Sequence, residues 1–103
     1  MSFTGNEDHS ITLELASKWT KNYRTAHPRD LKGHFFGKRA IQDILNQEGC
    51  VGIRIYYALD DTAKQQLIVV GTNADENDLC EGLLAERSFP CPPTCGLNNP
   101  LNS

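Results

Sequence analysis

The sequence predicts an α+β fold, because the period of its apolar residues changes near residue 50. Before that point apolar residues recur every three or four positions, as in amphipathic helices. Over residues 51–59 they alternate, which is typical of a half-buried strand, and a β-branched segment follows at 66–71. A chain of 103 residues supports one core, so residues 1–103 are expected to form a single domain with mobile segments at 1–9 and 97–103.

Two N-terminal helices are predicted. The first begins after a cap at Ser10 or Thr12 and ends near Ala26, since Pro28 disfavours helical geometry in the residue before it. Its apolar residues step by four along one stripe: Ile11, Leu15, Trp19 and Tyr23. The second begins after Gly37 and ends before Gly49, a residue suited to a left-handed helix terminus. Residues 30–36 are expected to be a connector.

A β-hairpin follows the second helix. One face of its first strand is apolar and is expected to be half-buried: Val51, Ile53, Ile55, Tyr57 and Leu59. The polar run at 60–65 is short enough to force antiparallel pairing with 66–71. If Leu59 lies opposite Gln66, Cys50 lies opposite about residue 75. We expect both helices to pack on one face of this antiparallel sheet.

The remainder of the chain gives weaker patterns. Residues 76–87 have a leucine stripe that favours a third helix, although Gly82 interrupts it. Prolines at 90, 92, 93 and 100 predict an extended C-terminal tail that wraps the core. A lone hairpin exposes both of its edges, so the sheet needs a further strand, the tail or a second subunit. We therefore expect a homo-oligomer, most simply a homodimer.

Charge is divided along the chain. Residues 17–40 carry seven basic side chains and one acidic (+6), residues 41–103 carry three and nine (−6), and residues 1–16 carry −3. This division favours an anionic partner near the second helix start, bound by Lys32, His34, Lys38 and Arg39. A net charge of −3 makes nucleic acid an unlikely partner. Alternatively, the basic residues are solvated helix faces balanced by the acidic half.

Motifs for catalysis fail in detail, and no catalytic residue is predicted. The run GHFFGKR is one residue too short for a phosphate-binding Walker A loop and has Arg39 where Ser or Thr is needed. The acidic residues after Gly71 start like a calcium-binding EF-hand loop, but Asp78 and Leu84 replace the required Gly and Glu. A nucleophile elbow is also missing.

Four cysteines leave three hypotheses open. Cys50, Cys80, Cys91 and Cys95 could converge on zinc if the tail folds back, because C-x3-C occurs in structural zinc sites. Cys91 and Cys95 could instead form a disulfide, or all four could be thiols. The polar N-terminus does not resemble a signal peptide and no apolar run approaches the length of a membrane span, so a cytoplasmic location is expected.

The run GHFFGKRAIQDILNQEGCVGIRIYY, with CPPTC near the end, resembles a group of small bacterial proteins of about this length without assigned activity. The resemblance spans most of the chain and implies a bacterial cytosolic protein, with no ligand or catalytic residue to carry over. The leading hypothesis is a small non-enzymatic binding or assembly module that oligomerises and binds an anionic partner. The alternative is a zinc- or thiol-dependent protein that uses the cysteine cluster.

Overall fold

The computed structural model describes residues 2–103, which form two helices and two antiparallel sheets, and this confirms the α+β class. The helices are α1 (Leu13–Ala26) and α2 (Lys38–Leu45). The strands are β1 (Gly33–Phe35), β2 (Cys50–Leu59), β3 (Gln65–Asn73), β4 (Leu84–Ala85) and β5 (Phe89–Cys91). Neither of the two helices is long and apolar enough to cross a membrane, for the residues described.

Two compact units divide the described chain. The hairpin unit comprises the described residues through Glu7 together with Phe36–Ser88. The tail unit comprises Asp8–Phe35 and Phe89–Ser103. Their charges have opposite signs, since the hairpin unit holds five basic and ten acidic side chains (−5) and the tail unit five and three (+2). The expectation of a single domain stays a prediction, and so does the packing of α1 on the sheet.

Helix α1 begins and ends as predicted. The hydroxyl of Thr12 accepts a hydrogen bond from Leu15 N at 3.1 Å. This bond satisfies one of the backbone amides at the helix N-terminus that have no acceptor within the helix. The helix ends at Ala26, immediately before the residue that precedes Pro28. None of its residues is buried, and Trp19 keeps 57% of its surface exposed.

The predicted connector at 30–36 contains a strand, which corrects that expectation. β1 pairs antiparallel with β5, and Gly33, His34 and Phe35 lie opposite Cys91, Pro90 and Phe89. The rings of Phe35 and Phe89 stack with centroids 6.1 Å apart. Sequence periodicity could not show this pairing, because each strand has three residues and the partners lie far apart in the chain.

Helix α2 supplies the hairpin unit's core. It begins after the N-cap Gly37, as predicted, and ends at Leu45, while Gly49 has a positive φ of 81° in the turn that leads into β2. Ile44 is 1% exposed and lies against β3 at Gly71, and Val69 and Val70 of β3 are 1% and 2% exposed. A Cβ on Gly71 would lie 3.4 Å from Ile44 Cγ2 and 2.9 Å from Cys50 Sγ, so the missing side chain lets α2 approach β3.

The predicted hairpin is present, but the expected register is wrong by one residue. Leu59 lies opposite Gln65, and Gln66 lies opposite Ala58. An irregularity between Cys50 and Gly52 shifts the pairing again, so Cys50 lies opposite Asn73 rather than residue 75. The five-residue turn has Ala63 with a positive φ of 66°, a geometry that the sequence did not signal through a glycine.

A third helix at 76–87 does not form, and that prediction was wrong. The segment instead forms turns, a bridge between Thr72 and Asp78, and β4, whose Leu84 and Ala85 pair with β3. Leu79 N donates to Gly71 O and Gly82 N donates to Leu79 O, so the segment returns along β3. Gly82 has a low helix propensity, and the bond from Leu79 to Gly71 together with the pairing of β4 with β3 outweighs the weak leucine stripe.

Candidate functional site

The outer edge of β2, the edge turned away from β3, is the first candidate site. The sheet has the order β2-β3-β4, and no other strand of the described chain pairs with this edge. Asp60 N donates to Lys64 O at 2.9 Å. Because bonding alternates along an antiparallel pair, residues 54, 56 and 58 direct their amide and carbonyl groups to β3. Residues 53, 55, 57 and 59 therefore direct theirs outward.

The side chains at those outward positions are apolar and exposed. The expected half-buried face is therefore largely exposed, which corrects the prediction. The exposed fractions are 40% for Ile53, 49% for Ile55, 86% for Tyr57 and 71% for Leu59. Helix α2 covers this face only near Gly71, because its eight residues are too short to reach the hairpin turn. We call these four residues the β2 stripe.

The turn that ends the hairpin is held by one carboxylate. Asp60 Oδ1 accepts hydrogen bonds from Thr62 N, Thr62 Oγ1 and Lys64 N at 2.7–3.0 Å, and Oδ2 accepts one from Gln66 Nε2. These donors lower the pKa of Asp60, and the Thr62 hydroxyl has the largest effect. A turn satisfied in this way fixes the end of the β2 stripe.

A polar network lies on the opposite face of the sheet. Asp78 accepts hydrogen bonds from Arg54 Nη1, from Tyr56 Oη and from Thr72 Oγ1. Its side chain is only 14% exposed. The pKa of Asp78 is lowered, most strongly by the hydrogen bond from the Tyr56 hydroxyl and next by the charge of Arg54, although burial acts in the opposite direction. The network ties the segment after β3 to β2.

Two further contacts extend that network. The Arg54 guanidinium carbon lies 5.9 Å from the centroid of the Phe3 ring, and Phe3 N donates to Ala74 O. The N-terminal segment is thereby joined to the same face. An arginine paired with a carboxylate in this manner is engaged structurally, so we assign it no ligand.

The residues predicted to bind an anion are divided between the units. Lys32 and His34 belong to the tail unit, and Lys38 and Arg39 belong to α2 in the hairpin unit. Lys32 Nζ donates to Asn102 O at 2.8 Å, and Arg39 Nε lies 3.8 Å from Asp43 Oδ2. Burial lowers the pKa of His34, which favours the neutral ring. The four do not belong to one compact unit.

A pair of cations in the tail unit includes Arg24, which is not among the residues predicted to bind an anion. Arg24 Nη1 donates to Leu101 O at 2.6 Å, beside the Lys32 bond to the next carbonyl. Arg24 lies in the basic run at 17–40, but a contact over 77 positions leaves no local signal. Both residues line a small cavity of about 230 Å³ with Trp19, Tyr23 and Leu101.

The cysteines form one disulfide and two thiols. Cys91 and Cys95 are joined in the tail unit, with Cα atoms 4.8 Å apart. Cys50 and Cys80 are free thiols in the hairpin unit, and Cys80 is exposed. Within residues 2–103, no group of three or more His, Cys, Asp or Glu side chains could hold a metal ion. The four cysteines do not fit a zinc site in this oxidation state, since two of the required thiolates are consumed.

Replacing both Cys91 and Cys95 by Ser is expected to lower the free energy of unfolding by about 2 kcal/mol, the loop-closure entropy of a ring of about five residues. Trp19 fluorescence during urea unfolding reports on the tail unit and measures the loss. Cys80→Ser is the matched control and should unfold like the wild type. A reductant should lower the midpoint of the wild type and leave that of the double variant unchanged; equal midpoints for the wild type with and without reductant would contradict the disulfide.

No family model, curated protein or solved structure matches this chain. The resemblance to small bacterial proteins accordingly stays a prediction.

Proposed function

We propose that this protein is a small, non-enzymatic assembly module that self-associates by pairing the outer edge of β2 with the same edge of a second copy. The observation that carries the proposal is a ten-residue edge strand whose outward-bonding residues are apolar and exposed. Unpaired strand edges are templates for strand addition, and monomeric proteins protect them with lysine, proline or bulges. Residues 53–59 contain no lysine and no proline, and Arg54 is their only charged residue.

The chemistry of β2 suits a copy of itself. An antiparallel pair with its two-fold axis at Tyr56 places Ile55 opposite Tyr57 of the partner subunit. The same axis places Ile53 opposite Leu59 of the partner subunit, so every member of the β2 stripe meets an apolar residue. Arg54 then lies opposite Ala58 of the partner subunit, which avoids a pair of like charges. The two three-stranded sheets would become one sheet of six strands.

Sedimentation velocity across a concentration series tests the proposal. The wild type is expected to be a dimer. Ile55→Lys introduces two lysines near the axis and is expected to weaken dimerisation by about 100-fold or more, because like charges at an interface cost several kcal/mol. Leu97→Lys is the matched control, since Leu97 is 91% exposed and lies in the tail unit.

Two results would overturn this function. The first is a wild type that stays monomeric over the whole concentration range. The second is a dimer that Ile55→Lys leaves as tight as the Leu97→Lys control, since the contact would then lie elsewhere. Far-UV circular dichroism of Ile55→Lys checks that the variant is folded.

The other hypotheses have less support. An anionic partner bound jointly by Lys32, His34, Lys38 and Arg39 requires residues of both units to act together. The zinc- or thiol-dependent alternative requires reduction of the Cys91–Cys95 disulfide. Counting thiols in denaturant separates it from the assembly proposal, because the structure predicts two free thiols before reduction and four after it. The cytoplasmic location expected from the sequence stays a prediction, and the Cys91–Cys95 disulfide counts against it because the cytosol keeps most thiols reduced.

A further inference from the structure

We propose that Arg24 and Lys32, with the ring of Trp19, form a binding site for a small aromatic carboxylate, and that the chain's own tail occupies this site in competition with the ligand. All the residues concerned lie in the tail unit. The inference does not depend on self-association through β2. It differs from the predicted anion site by replacing His34, Lys38 and Arg39 with Arg24.

Two cations converge on one short stretch of the tail. Arg24 Nη1 donates to Leu101 O at 2.6 Å, and Lys32 Nζ donates to Asn102 O at 2.8 Å. Because these carbonyls belong to consecutive residues, the two cationic groups lie within reach of one ligand. Both currently bond neutral oxygens. A carboxylate would offer each cation an oppositely charged acceptor in place of a neutral carbonyl, and it could accept two parallel bonds from the Arg24 guanidinium.

The nearby acidic residue, Asp30, already has partners within the tail unit. Asp30 Oδ2 lies 3.3 Å from His27 Nδ1 and accepts a hydrogen bond from Tyr23 Oη at 3.5 Å. The tail segment, residues 89–103, contains no charged side chain. The two tail carbonyls that bond the cations are neutral and leave the charges of Arg24 and Lys32 in place, and the charged side chains of the tail unit sum to +2.

The cavity beside these cations has an aromatic wall. Trp19, Thr20 and Tyr23 line it together with the two cations and Leu101, and its volume is about 230 Å³. This volume is that of the cavity with Leu101 in place, and it is smaller than the roughly 300–1,000 Å³ of sites for drug-sized ligands, which favours a ligand of a single ring. Trp19 and Tyr23 are 57% and 41% exposed, which leaves ring surface available for contact with an aromatic body. Leu101 of the tail forms part of the same wall.

Benzoate titration of the full chain, followed by fluorescence of Trp19, tests the site. The signal is specific because Trp19 is the sole tryptophan. We expect a saturable change, with affinity reduced about tenfold in Lys32→Gln, since one hydrogen bond to a charged group is lost. Lys21→Gln, on α1 with Trp19 and Arg24 but outside the cavity, is the matched control and should bind like the wild type.

Leu101→Ala tests the competition by the tail. Removing the apolar contact should raise the population of molecules in which the tail has left the site. The apparent affinity for benzoate should rise in proportion to that population, by a few-fold or more. Equal affinity in Lys32→Gln and Lys21→Gln would overturn the site. An equal response to inorganic phosphate would overturn the choice of an aromatic carboxylate, and an unchanged affinity in Leu101→Ala would overturn competition by the tail.

Discussion

Ile44→Ala is expected to lower the free energy of unfolding of the hairpin unit by about 2–4 kcal/mol, the usual cost of removing a large aliphatic side chain from a packed core. Ile44 is 1% exposed, and only two other hydrophobic residues of the described chain, Val69 and Val70, are buried. A cavity there removes a large share of what joins α2 to the sheet. In a protein whose total stability is of the order of 5–15 kcal/mol, the change is severe.

Native-state hydrogen exchange of the β3 amides measures this loss in the hairpin unit itself. Leu45→Ala is the matched control, because Leu45 is the next residue of α2 and is 42% exposed. Leu45→Ala should lower the free energy of unfolding by less than about 1 kcal/mol. Similar losses in the two variants would show that α2 does not pack on the sheet through Ile44.

Asp78→Ala is expected to lower the free energy of unfolding by about 2–3 kcal/mol at neutral pH. The substitution removes the acceptor for Arg54, Tyr56 and Thr72 together, and bonds to a charged group contribute about 1.5–3 kcal/mol each before solvent exposure reduces them. Urea unfolding followed by circular dichroism measures the difference. Asp61→Ala is the control, since Asp61 is an exposed acid in the hairpin turn.

The Asp78 effect should disappear in acid. The pKa of Asp78 is lower in the folded protein than its ordinary value of 3.8, so the native state binds the proton less readily than the unfolded state. Its stabilisation is therefore complete above that ordinary value and is lost as the pH falls through the lower, folded pKa. The gap between Asp78→Ala and the wild type should narrow below about pH 4. A constant gap would show that the carboxylate charge is not responsible.

Local patterns in the sequence were sufficient for the elements that satisfy their own hydrogen bonds. Thr12 and Pro28 set the ends of α1, and Gly37 set the start of α2, because caps and prolines act within one turn of the residues they affect. The alternating residues after Cys50 were correctly read as a strand. The same local approach failed for residues 76–87, where the leucine stripe competes with distant partners such as Gly71 O.

The candidate sites depended much more on tertiary structure. The β2 stripe was recognised in the sequence as apolar, and an oligomer was expected from the edges of the hairpin, but its exposure depends on how little of the face the short α2 covers. The cations predicted to bind an anion were chosen for their nearness in sequence. Arg24 was not selected, because its partner Leu101 lies 77 residues away.

The sequence by itself determined the α+β class, the ends of α1, the start of α2 and the existence of the hairpin, since each follows from interactions within a few residues. Tertiary structure decided the register of that hairpin, the pairing of β1 with β5 and the convergence of Arg24 and Lys32 on the tail. Most of these contacts join segments far apart in the chain, and the register depends on a turn and a bulge without a local signature. Their free energy comes from partners that no local window contains.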